Sequence, residues 1–146
     1  MHTISVDVDL RECVEELTEE VDVVIGVILK GNTFLVERRR TDEKRDPGIV
    51  CLPGGHVRSG ESFEEALRRE MPEELGIEVR SCRFVCRDFY IASNGEEQNA
   101  YCYLIEDYEG KPICRSAHEI FWEEDIANLD LEVDRKIMDS LRRVRF

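Results

Sequence analysis

The chain has 146 residues and a mass of 17.0 kDa, the size of one domain with its own core. Apolar residues make up 42% and charged residues 36%, which excludes wholesale disorder. The longest apolar run, Val23–Leu29, is far short of the roughly 20 residues a membrane-spanning helix needs. With 33 acidic against 20 basic residues the net charge is −13, so neither a nucleic-acid backbone nor a membrane is expected as a partner. No basic-then-apolar leader opens the chain, and a cytoplasmic location is expected.

In chain order, residues 1–20 form an extension that reads two ways. Ile4, Val6, Val8 and Leu10 alternate as in a strand, while Leu10, Cys13, Val14 and Leu17 have helical spacing. Residues 21–30 and 33–38 read as strands joined by the two-residue turn Gly31-Asn32. Residues 40–48 are polar, contain Pro47-Gly48 and read as a loop. Lys30 to Arg45 holds six basic and three acidic residues, a basic island in an acidic chain. Arg38 and Arg40 share one face of the strand by its period of two, and Arg39 opposes them. One or two of these arginines are candidates for substrate phosphates; the alternative is solvated charge paired with Asp42 and Glu43. Ile49–Leu52 reads as a short strand running into Pro53-Gly54-Gly55.

Ser62 and Glu65 form a capping box, and Gly76 is placed as the stop of the helix that follows. Residues 77–92 and 98–106 read as a second hairpin around Ser93–Glu96. Residues 112–122 read as a further strand, and 132–144 as a closing helix with Val133, Ile137, Leu141 and Val144 on one face. The whole domain, residues 1–146, reads as α+β, with helices packed on a mixed, mostly antiparallel sheet. The six cysteines show no metal-site spacing and read as free thiols of a reducing compartment. Cys82 and Cys86 lie about 13 Å apart along one strand, too far to bridge within it; a cross-strand bridge to Cys102 stays open.

The chemistry lies on the capped helix. Phe63, Ala66, Leu67, Met71 and Leu75 form its apolar stripe, yet Glu70 and Glu74 fall inside that stripe and Glu73 at its edge. Ionised carboxylates are costly to bury without partners, and a hard cation satisfies both burial and mutual repulsion. A helix end protruding into water is the competing reading. Pro72, inside the helix, is expected to kink it.

Gly55, Glu61, Arg69, Glu70, Met71, Glu73, Glu74, Gly76 and Ile77 fill all nine specified positions of G-x5-E-x7-R-E-U-x-E-E-x-G-U, with U aliphatic. The segment resembles the Nudix box, and Leu52-Pro53-Gly54 and Glu119–Trp122 resemble its usual flanks. The resemblance implies a Nudix-type α/β/α sandwich with the box as loop–helix–loop. It implies Mg²⁺- or Mn²⁺-dependent cleavage of a nucleoside diphosphate linked to another moiety. By position, Glu70, Glu73 and Glu74 would hold metal, with a carbonyl of Gly54 or Gly55, and Arg69 would orient a box glutamate. Glu61 would support the loop or a second metal. Candidates for the general base are Glu70 and, on later segments, Glu119 first, then Glu96, Glu97 and Glu106. His56 follows the glycines and is a candidate for substrate contact, as are Arg38 and Arg40. The expected partner is a nucleotide-type small molecule, and the family is compatible with a homodimer. Two alternatives stand beside this reading: a nucleoside triphosphate pyrophosphohydrolase of MutT type, and a nucleotide-sensing module on the same scaffold.

Overall fold

In β1 (Glu20–Val27) successive side chains serve two different cores. Val23, Ile25 and Val27 point to one side of the sheet and Val24 to the other, so this strand is buried on both faces. The computed structural model describes residues 20–145, and the strand-or-helix alternative for the extension lies outside the described residues apart from Glu20. β1 pairs in parallel with β7 (Glu97–Glu109) and antiparallel with β5 (Gly54–His56), and β7 pairs antiparallel with β6 (Glu78–Ile91). The order is β5-β1-β7-β6. A second sheet forms around β3 (Thr33–Arg38), which pairs antiparallel with β2 (Leu29–Lys30), β4 (Val50–Cys51) and β8 (Glu119–Glu123).

Two helices cover the opposite faces. Helix α1 (Phe63–Leu75) buries Ala66, Leu67, Met71 and Leu75 against Val24, Ile28, Leu35, Tyr103 and Ile105. Helix α2 (Glu132–Arg145) brings Val133, Ile137, Met138 and Leu141 onto Val23, Ile25, Val36, Ala100 and Cys102. The result is the α/β/α sandwich expected from the box. A Cβ at Gly26 would sit 2.8 Å from Ile105 and 3.2 Å from the Met71 sulfur, so the glycine lets α1 lie close on β1. Tyr101 stacks on Phe63 and Tyr103 is buried beside Phe84, so both tyrosines are core residues.

One local expectation changes. Of the stretch 112–122 only the part from Glu119 is strand; before it the chain caps the C-terminal end of α1. Ile113 N–H donates to the Leu75 carbonyl (2.9 Å), Arg115 N–H to the Glu74 carbonyl (3.1 Å) and the Arg115 guanidinium to the Pro72 carbonyl (3.1 Å). Exposed carbonyls at a helix end need such donors, and this need overrides β-propensity here. The helix runs on through Pro72 to Leu75, and the Gly76 N–H donates to the Pro72 carbonyl (3.0 Å). Among the described residues no helix is long and apolar enough to cross a membrane.

Candidate active site

The loop entering α1 is shaped by close approaches. A Cβ on Gly54 would land on the Val24 carbonyl oxygen, and one on Gly55 would land in the Glu70 carboxylate. Glycine at 55 therefore lets a helix carboxylate rest on a strand backbone. Ser62 and Glu65 make both bonds of the capping box (3.0 and 2.8 Å), which fixes where α1 begins. Gly76 ends it in the left-handed conformation at φ 68°. Glu61 accepts the Arg58 N–H (2.8 Å), folding the loop back on itself.

Arg69 is the hub. Its Nε and Nη2 donate as a fork to Glu61 (2.6 and 2.9 Å), its Nη1 to Glu70 (2.9 Å) and Glu73 (3.1 Å), and its Nη2 also to the His56 carbonyl (2.9 Å). One planar cation thus ties together the loop, β5 and two helix carboxylates. The Arg69 fork, with the Arg58 amide, holds the Glu61 carboxyl down at about 2. Burial pushes Glu70 up from the usual carboxylate range; Arg69 opposes this, while Glu74 and Glu73 add to the rise. Glu74 accepts the Ser116 hydroxyl from the loop that caps α1.

The candidate residues divide into two groups. Gly54, Gly55, Glu61, Arg69, Glu70 and Glu73 come together. The His56 ring meets Arg45 (2.8 Å) and Glu96 (3.0 Å) beside them. Arg38 is ion-paired with Glu119 (3.0 Å) across β3 and β8, both about half exposed, and Arg40 is paired with Asp42 (2.8 Å). Glu106 pairs with Arg83 at 3.3 Å on the β6–β7 hairpin. It is Arg39, on the face opposite Arg38, that lines the pocket beside the glycine loop.

That pocket lies between the sheets and the start of α2 and is open to solvent. Val23, Ile25, Leu52 and Leu131 give it apolar walls; Gly54 and Gly55 form one side and Glu37, Asp46 and Asp134 supply carboxylates. Glu37 is 5% exposed, and burial together with Glu74 pushes it up to about 8. Asp134 accepts the Leu52 N–H (3.1 Å), and burial pushes it up to about 7. Asp46 accepts from the Tyr90 hydroxyl (2.8 Å) and the Ser93 N–H (2.9 Å), pinning the 40–48 loop to the β6–β7 turn. Sequence reasoning passed over Glu37, Asp46 and Asp134. Two carried a signal: Glu37 ends the buried run Phe34–Val36, and Asp134 shares helical spacing with Ile137, Met138 and Leu141.

Among the described residues no three His, Cys, Asp or Glu side chains converge to hold a metal ion as they stand. Arg69 engages Glu70 and Glu73, and Ser116 engages Glu74. The donor set itself fits a hard divalent cation: carboxylate oxygens on one helix, one of them half-buried and crowded by its like-charged neighbours.

The NUDIX domain family profile matches residues 19–138. An 8-oxo-dGTP diphosphatase of Haemophilus influenzae is 36% identical over 106 residues, 71% of this chain and 76% of that protein. The crystal structure of a MutT NUDIX hydrolase from Burkholderia pseudomallei superposes with a TM-score of 0.75 at 25% identity, covering 84% of this chain and 98% of that one. The NUDIX domain of Shewanella oneidensis NrtR complexed with ADP ribose shares the fold, with a TM-score of 0.70 at 17% identity over 87% of this chain and 89% of that one. With the box complete, its arginine–glutamate hub assembled and the sandwich around it, the chain belongs to the Nudix hydrolases, enzymes acting on phosphorus-containing acid anhydrides.

Proposed function

We propose that the protein hydrolyses a nucleoside triphosphate to a monophosphate and pyrophosphate, with Mg²⁺ or Mn²⁺. This places the triphosphate reading ahead of the diphosphate-linked substrate expected from the box. The relatives named as 8-oxo-dGTP diphosphatases support that order. The carrying observation is the pocket beside the box: Gly54 and Gly55 line it together with Arg39, Arg45 and the carboxylates of Glu37, Asp46 and Asp134, so phosphate-binding charge and base-reading groups share one cleft.

A cation held by Glu70, Glu73 and Glu74, with a carbonyl of Gly54 or Gly55, would neutralise the phosphates and lower the pKa of an attacking water. Arg69 keeps two of those carboxylates oriented through one rigid fork. Arg39 and Arg45 line the pocket and offer positive charge to phosphate oxygens. Protonated, Asp134 can donate as well as accept, which suits a nucleobase edge presenting both groups. Of the two leading candidates for the base, Glu70 rests on the glycine loop, whereas Glu119 is paired with Arg38 on the other face of β3 from Glu37.

The test is product analysis with Mg²⁺ or Mn²⁺ over deoxynucleoside triphosphates, 8-oxo-dGTP, ADP-ribose, NADH, diadenosine polyphosphates and coenzyme A, with Glu74→Gln alongside. Pyrophosphate from one triphosphate class, lost in E74Q, is the expected result. Two monophosphate products from a linked diphosphate would overturn the triphosphate reading. Nucleotide binding without turnover of any substrate would favour a sensing role.

A further inference from the structure

Two cysteines that the proposed hydrolysis leaves unused lie side by side on the face away from the glutamate helix. Cys86 on β6 and Cys102 on β7 are direct partners in the antiparallel register. The register shifts between Phe84 and Cys86, so Val85 is an extra residue in β6. This bulge turns Cys86 toward the α2 face, where Cys102 is fully buried and Val85 and Cys86 pack against the same core. Directly opposed residues of an antiparallel pair have Cα atoms about 4.5–5.5 Å apart, within the range a disulfide spans. We propose that Cys86 and Cys102 form a thiol pair that a hydroperoxide oxidises to an intramolecular disulfide joining β6 to β7.

The surroundings select Cys86 as the attacking group. The neighbouring Cys102 thiol and Ser140 of α2 draw its thiol down to about 7, against the effects of burial and Asp88. Cys82 is pushed the other way, to about 11, by burial and the neighbouring Glu64. Cys86 is half-buried and therefore reachable by a small oxidant, while Cys102 is fully buried. In the first step the Cys86 thiolate attacks one peroxide oxygen: an S–O bond forms, the O–O bond breaks, and hydroxide (or the alkoxide of an organic peroxide) leaves. In the second the Cys102 thiol gives up its proton, its sulfur attacks the Cys86 sulfur, the S–O bond breaks and water leaves. Two thiols thus lose two electrons to one peroxide.

The experiment is to treat the reduced full-length protein with hydrogen peroxide, block remaining thiols with N-ethylmaleimide, digest without reductant and map the peptides by mass spectrometry. The expected product is one peptide pair linked through Cys86 and Cys102, lighter by two hydrogens and separated by dithiothreitol. Cys86 should react at least about tenfold faster than Cys82, given the difference in thiolate fraction. Cys86→Ser should abolish the link, and Cys102→Ser should leave a Cys86 sulfenic acid that dimedone traps. If C102S does not fold, the wild-type map alone decides. Oxidation confined to exposed Cys114, or cross-links only between chains, would overturn the proposal.

Discussion

Arg69 engages three carboxylates and a backbone carbonyl from one guanidinium, so its replacement does more than remove a charge. Lysine keeps the charge but cannot reproduce the fork to Glu61 while also holding Glu70 and Glu73. Groups that orient metal-ligating side chains are typically worth 10–100-fold in activity or affinity. Arg69→Lys is expected to lower kcat/KM by about that factor while leaving the melting temperature within a few degrees. Steady-state kinetics beside a thermal melt check this, and unchanged kcat/KM would remove Arg69 from its positioning role. Gly55→Ala tests the other contact at the same place. Its methyl would occupy the space of the Glu70 carboxylate, which must then swing away. Mn²⁺ affinity measured by titration should fall by about tenfold or more, on the same reasoning about displaced ligands. A wild-type Mn²⁺ affinity in G55A would show that Glu70 does not need this glycine.

At the scale of elements, α1 is defined by what satisfies its ends. Ser62 bonds the Glu65 amide, so Ser62→Ala should cost about 1 kcal/mol, read as a lower midpoint in urea at unchanged slope. If the midpoint stays put, the box is not what fixes the helix start. This element was legible in the sequence, because its cap, its stripe and its glycine stop are all local signals. So were the Gly31-Asn32 and Ser93–Glu96 turns. The 112–118 segment was not: it lacks periodicity because its role is to donate hydrogen bonds to carbonyls of a helix distant in sequence. The same divide runs through the site. Motif spacing revealed the Arg69–Glu61–Glu70 cluster, since those residues are close in the chain or one helical turn apart. Asp134 and Glu37 reach the pocket from α2 and β3, and only the packing of both on the β1 region brings them near Gly54. Period-two reasoning did separate Arg39 from Arg38 and Arg40, but it could not say which face looks into the pocket.

At the scale of the whole molecule, part of the acidic excess sits where solvent is excluded. Glu37, Asp46 and Asp134 share one pocket, and Glu37 also feels the charges of Glu70 and Glu74. Such crowding favours protonated acids, and its cost appears in stability against pH. Asp134 is held in the fold at about 7, whereas the unfolded chain releases that proton near the ordinary aspartate value. Between those two values the folded state binds more protons than the unfolded state, so stability must fall as pH rises and level off above about 7. Glu37 adds a decline of the same sign that continues to about 8. Asp134→Asn keeps an acceptor for the Leu52 amide and removes the ionisation. Urea unfolding from pH 4.5 to 8 should therefore show a steeper loss in the wild type than in D134N. The difference is on the order of 4 kcal/mol at most, since each tenfold change in proton affinity between fold and unfolded chain is worth about 1.4 kcal/mol. The variant is expected to be the more stable protein at pH 8 and to lose that advantage toward pH 4.5. Parallel pH profiles for the two proteins would mean that Asp134 is already ionised in the fold, and with that its capacity to donate to a bound nucleobase would be gone.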